Sequence, residues 1–232
     1  MVYYIVQAHV ILVQGTNAFM MNNINFPIYG TIILLSLIIS LFYIVVSIKE
    51  KNYLIIYFYI VTYITSSIIF GIIFNIIINN KIELGLSSYG CALGVLLTAL
   101  IFKKYIKDIQ SITIKSLPLT YAIGKIACLL SGCCIGIPYK GILSITYTKY
   151  NLEVFPIQLL ETIVFLIIFI LFNKKKNIEY KLLITCIISK FILDFLRYEH
   201  INTLITKNQI MLIVLLIILL LYKNKEFILK KK

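Results

Sequence analysis

The sequence predicts an all-α polytopic membrane protein with seven transmembrane helices, its N-terminus outside and its C-terminus in the cytoplasm. Three observations carry this. Of 232 residues, 61% are hydrophobic and 13% charged, at a mean hydropathy of +0.98, which leaves too little polar surface to cover a water-soluble globule. Apolar runs recur seven times along the chain, near residues 28–47, 53–78, 87–102, 119–137, 156–173, 182–197 and 210–222. The lysines collect in the connections between these runs, and mostly in alternate ones.

Taken in order, residues 1–25 are moderately apolar but interrupted by Gln7, His9, Gln14 and Asn17. They lack a basic leader region and read as an outer interfacial or re-entrant helix rather than a signal peptide. The first span closes at KEKN, 49–52, and the second at NNKIELG. The third begins in LSSYGCALG and closes at Lys103 and Lys104. The fourth is expected to start after Pro118 and to run through AIGKIACLLSGCCIGIPYKG, residues 122–141. A polar Thr/Ser/Tyr loop leads to the fifth, which opens at Pro156, where a missing N–H costs a helix nothing. The sixth and seventh are joined by YEHINTLITKNQ. No internal repeat is visible, so the whole chain reads as a single transmembrane domain and not as a two-fold transporter.

Seven spans put successive connections on opposite sides. The connections after spans one, three and five, with the C-terminal tail, hold fifteen lysines; the opposite side holds Lys81, Lys140, Lys149 and Lys207 with the border residue Arg197. That imbalance places the lysine-rich side in the cytoplasm. It also accounts for the net charge of +13 without nucleic-acid binding, which would need clustered basic residues on a soluble surface.

Charges inside apolar runs are costly, and each calls for a partner or a site. Lys125 lies in span four, Glu161 in span five, and Lys190 and Asp194 in span six, with Arg197 at that helix's outer end. Lys190, Asp194 and Arg197 are spaced i, i+4 and i+7, one helical face. Either Lys190 and Asp194 only neutralise each other, or the pair holds Arg197 so that its planar fork meets a phosphate. Arg197 is the one arginine beside 21 lysines, which favours the second alternative. Gln158 and Glu161 share a face of span five, as interhelical glue or as ligands for Lys125 or a substrate hydroxyl. Gly124, Gly132 and Gly136 are expected to let helices approach closely.

The five cysteines form no disulfide framework. Cys128 reads as a small buried residue. Adjacent Cys133 and Cys134 on a helix would point in different directions, so neither a metal nor another cofactor is expected. Tyr29 and Tyr89, each before a glycine near the outer end of a span, are either interface aromatics or phenols at the mouth of a cavity.

Five blocks between residues 26 and 199 together resemble the bacterial phosphatidylglycerol–prolipoprotein diacylglyceryl transferases. AIGKIACLLSGCCIGIPYKG is similar to the signature GRxGNFxNGExxG, and more so to a divergent branch reading GRxGCFxxGCCxG. FPIYG resembles IRWYG, LSSYGCALG resembles SxHGGLxG, FPIQLLE resembles HPxQLYE, and KFILDFLRYE resembles RFxxEFxR. The resemblance implies a seven-span fold in the bacterial cell membrane with its site facing the outer leaflet. It implies transfer of diacylglycerol from phosphatidylglycerol to the lipobox cysteine of a preprolipoprotein, with no cofactor.

By the same resemblance, Lys125 stands at the signature arginine that engages the headgroup and Arg197 at a second essential arginine. Tyr29, Gln158 and Glu161 match family positions directly, and Lys190 and Asp194 keep the charge of theirs. Ser131 and Cys128 replace signature asparagines, Cys133 a glutamate, and Tyr89 a histidine. Lys125, Arg197, Tyr89 and Tyr29 are therefore the expected catalytic residues, and Gln158, Glu161, Lys190, Asp194 and Ser131 the substrate-binding ones. Tyrosine is a poor base beside histidine, and the alternative is an inactive, lipid-binding homologue with an accessory role.

Overall fold

The computed structural model describes residues 18–21, 24–50, 52–79, 85–147 and 152–229. Among them are seven α-helices: α1 Ile28–Ser47, α2 Tyr53–Asn79, α3 Ser88–Phe102, α4 Ile109–Ser131, α5 Ile157–Asn173, α6 Glu179–Asp194 and α7 Lys207–Leu229. Two antiparallel hairpins accompany them, β1 Ala18–Met21 with β2 Ile24–Pro27, and β3 Ile145–Tyr147 with β4 Leu152–Val154. Three stretches are long and apolar enough to cross a membrane, Tyr29–Ser47, Tyr53–Ile78 and Ile109–Ser131; α3, α5 and the first part of α7 are apolar but shorter. Large apolar side chains such as Phe42, Ile101 and Ile170 point outward at 71%, 65% and 70% exposure. Such surface suits lipid and not water.

Several boundaries depart from the sequence reading, each for a local reason. Residues 18–21 and 24–27 pair as strands, where a helical segment was expected; residues 1–17 lie outside the described residues. Helix α4 starts ten residues early, at Ile109, and keeps Pro118 in its interior. It stops at Ser131, six residues early, because Gly132 turns left-handed at φ 66°. Helix α7 begins at Lys207 and not Ile210, because Thr206 and Gln209 form a reciprocal capping box: the Thr206 N–H donates to Gln209 Oε1 at 3.1 Å and the Gln209 N–H to Thr206 Oγ1 at 3.3 Å. At the start of α2, Asn52 accepts from the Leu54 and Ile55 N–H groups at 3.1 and 3.4 Å, so the last residue of the KEKN stop is also the cap of the next helix.

The chain forms two compact units. One comprises residues 35–121 and 169–182; the other comprises 1–34, 122–168 and 183–232. In the first, Leu37, Leu41 and Ile44 of α1 pack with Tyr59 and Tyr63 of α2, Val95 of α3, and Ile106 and Ile109. Three buried polar pairs tie its helices together: Tyr59 with Thr113 at 2.9 Å, Tyr63 with Ser40 at 3.0 Å and Ser66 with Thr98 at 2.7 Å. Helices α2 and α3 meet at Gly90 and Gly94, where an added Cβ would lie 2.2 Å from the Phe70 carbonyl oxygen and 2.4 Å from that of Ser66. This is the small-residue packing of membrane helices. It was expected at Gly124, where a Cβ would meet only Ile33 at an ordinary 3.6 Å.

The second unit contains the end of α4, the β3–β4 hairpin, the start of α5, the end of α6 and α7. After Gly132 the chain runs extended beside two other segments. Gly136 bridges Arg197 and Pro138 bridges Val154, both antiparallel. Gly136 is needed for that approach, since a Cβ there would fall 2.2 Å from the Phe155 carbonyl oxygen.

Candidate functional site

Within this second unit the buried charges converge. Glu161, one turn into α5 and fully buried, is the hub. Its Oε2 lies 2.9 Å from Lys125 Nζ on α4, and its Oε1 lies 2.7 Å from Lys190 Nζ on α6 and 3.1 Å from Arg197 Nη2. Asp194, at the last turn of α6, pairs through Oδ1 with Lys190 and, at 2.8 Å, with Arg197 Nε. All five residues are at most 6% exposed.

Neither alternative for Asp194 holds alone, since the carboxylate binds Lys190 and Arg197 together. Arg197 is not on the α6 face as its spacing implied. The helix ends at Asp194, and Arg197 is extended at φ −91°, ψ 150°, held by its bridge to Gly136 and by its N–H to the Asp194 carbonyl at 3.1 Å. That extended backbone turns the guanidinium back onto Glu161.

Counted as ordinary ionised groups, three cations meet two carboxylates among the described residues, leaving one positive charge in excess. Buried charge persists only when it is paired. Lys125 and Arg197 reach different oxygens of the Glu161 carboxylate, the spacing with which two cations would also meet the oxygens of a phosphate.

The GCC turn is built on the next turn of α4. Gly132 is the left-handed C′ residue of the helix, and the Cys133 N–H reaches back to the Cys128 carbonyl at 3.2 Å, the long bond of a Schellman motif. That motif sets the side chain after the glycine over the last full turn, so Cys133 lies against Cys128. Cys134 is also left-handed, at φ 54°, and returns its thiol to the pair. The three Sγ atoms lie within 4.8 Å of one another. The helical geometry that argued against their convergence ends one residue before Gly132.

Gln158 and Ser131 belong to this turn. Gln158 Nε2 donates to the Cys133 carbonyl at 2.7 Å and contacts the Tyr147 hydroxyl at 3.4 Å; Ser131 Oγ donates to Cys133 Sγ and to the Cys128 carbonyl, each at 3.3 Å. Tyr147, on β3, donates to the Leu129 carbonyl at 3.1 Å, and burial pushes its phenol above the usual range so that it stays a donor. Sequence reasoning missed Tyr147, which looks like any aromatic in a polar loop. Tyr29 lies half-buried in the first turn of α1 in this same unit, whereas Tyr89, in the first turn of α3, belongs to the other unit.

A family model described as prolipoprotein diacylglyceryl transferase matches residues 16–223, nearly the whole chain and a range that includes the charged cluster. The chain belongs to this family. No individual curated protein matches it. For the prolipoprotein diacylglyceryl transferases, the family's name gives the chemistry, transfer of a diacylglyceryl group to a prolipoprotein. The apolar helices agree with a multi-pass protein of the cytoplasmic membrane.

Proposed function

We propose that this protein transfers the diacylglyceryl group of phosphatidylglycerol to the lipobox cysteine thiol of preprolipoproteins, releasing glycerol phosphate. The observation that carries the reading is the buried Lys125–Glu161–Lys190–Asp194–Arg197 cluster, in which three cations gather around two carboxylates. The lipid phosphate enters beside Glu161 and takes hydrogen bonds from Arg197 and Lys125. As the thiol sulfur attacks the glyceryl carbon and the carbon–oxygen bond breaks, these cations stabilise the charge growing on the departing phosphate. Glu161, Lys190 and Asp194 hold Arg197 in position.

The carbonyl oxygen of Gln158, buried with no hydrogen-bond partner among the described residues, accepts from a substrate hydroxyl, with Ser131 beside it. Tyr29, in the same unit as the charged cluster, orients the thiol or relays its proton. Seven spans with the N-terminus outside put this site toward the outer leaflet of a bacterial cell membrane, where both substrates are available.

Purified protein with phosphatidylglycerol and a lipobox peptide tests the reading. The thioether product is expected by mass spectrometry, and Arg197→Ala is expected to slow its formation by about 10²–10³-fold. Full activity in Arg197→Ala, or no thioether from the native protein, overturns it. The second reading, a lipid-binding homologue without transfer, is favoured by Tyr89, Cys128 and Cys133 standing where the resemblance has histidine, asparagine and glutamate. Rescue of growth in a transferase-depleted bacterium excludes it.

A further inference from the structure

Three thiols brought together at the end of a helix are a donor set that the charged cluster does not use. Cys128 is buried, Cys133 half-buried and Cys134 an exposed residue, so the trio runs from the interior of the fold to its surface. Its backbone is held on purpose: Gly132 and Cys134 both adopt left-handed conformations, an uncommon state for a non-glycine residue. Around it stand the supports that metal ligands use. Ser131 donates to Cys133 Sγ, and Gln158 fixes the Cys133 carbonyl. Two positive charges of the metal itself would offset most of the negative charge that three thiolates bring.

We infer that Cys128, Cys133 and Cys134 form a site for a thiophilic d¹⁰ cation, zinc in the first place, whose fourth position receives the thiol of the acceptor cysteine. Zinc–sulfur bonds of about 2.3 Å place ligand sulfurs about 3.8 Å apart, so sulfurs already within 4.8 Å need only small side-chain rotations. Sulfur donors select zinc and copper(I) over magnesium or calcium. Three protein ligands plus an open position is the arrangement of catalytic zinc, whereas structural zinc closes all four.

The second half of the inference rests on the transferase reading. A thiol that binds the metal is deprotonated outright, and its proton passes to solvent. The metal-held thiolate then supplies the electron pair for the new carbon–sulfur bond, and the glyceryl carbon–oxygen bond breaks with its pair leaving on glycerol phosphate. None of the five ion-paired side chains is a histidine, and the metal does the deprotonation that tyrosine does poorly.

Cobalt(II) tests this in the full-length, reduced protein in detergent. One equivalent is expected to bind with thiolate-to-cobalt charge-transfer absorption. Cys91→Ser with Cys186→Ser should leave that absorption in place, and Cys128→Ser, Cys133→Ser and Cys134→Ser combined should abolish it. Should the triple variant fail to fold, Cys134→Ser alone, at the exposed position, is expected to weaken binding, and Ser131→Ala to weaken it by about 10–100-fold. No charge-transfer band, or one unchanged by these substitutions, overturns the site.

A lipobox peptide added to the cobalt-loaded protein should raise the band by about a third, one thiolate joining three, while the peptide carrying serine should not. No response to the cysteine peptide overturns the role of the open position. If both spectra appear as expected and no thioether forms with or without zinc, the metal site stands and it is the transferase reading that fails.

Discussion

At the residue scale, Glu161 is the most consequential side chain, because three cations depend on one carboxylate. Glu161→Gln keeps the size and removes the charge, leaving Lys125 without its carboxylate and Lys190 and Arg197 sharing Asp194. Breaking a buried ion pair from one side costs roughly 3–5 kcal/mol, and the midpoint of detergent-induced unfolding should fall accordingly; an unchanged midpoint would show that the cluster is not truly buried. Arg197→Lys should be milder than Arg197→Ala in the transfer assay while remaining defective, since an ammonium keeps the charge and loses the fork. The five charges were legible in the sequence for a physical reason: an ionised side chain in an apolar run stands out, and its cost demands a partner. The direction of Arg197 was not legible, because nothing in i, i+4, i+7 spacing says that the helix stops at Asp194.

At the element scale, most departures from the sequence expectation lie at the ends of helices. Apolar runs mark where a helix is, but caps decide where it stops. The signals were present in Thr206-Lys-Asn-Gln209 as a capping box and in Gly132 as a C′ glycine. Gly132 was read as a packing residue because two other glycines shared its neighbourhood, and with that reading the cysteine turn was lost. Packing glycines do occur, at Gly90 and Gly94 against α2. Gly94→Ala would drive a methyl group into the Ser66 carbonyl at 2.4 Å. The helices must separate to admit it, at about 1–3 kcal/mol, and a thermal-stability measurement should show the loss; Gly124→Ala, with only Ile33 near it, should be close to neutral.

At the scale of the whole molecule, composition and lysine distribution carry the membrane reading, and the alternation of loops carries the orientation. A reporter that is fluorescent only in the cytoplasm should glow when fused after Lys232, and a periplasmic reporter placed in the connection between α2 and α3 should be active; the reverse pattern would overturn the seven-span orientation. The division into two units was not legible, since apolar runs give the length of a helix but not which of its turns pack together.

The gathering of three cations around two carboxylates has a consequence for turnover. Fixed cations in a medium that solvates them poorly behave like an ion-exchange resin, which favours trading one anion for another over release into an empty site. Under the proposed reaction, product phosphate would then leave by displacement, as the next lipid headgroup arrives, and not by simple escape into an empty site. Free glycerol phosphate would compete directly with the lipid, and the rate at high product would be set by how fast the two phosphates trade places on Arg197 and Lys125.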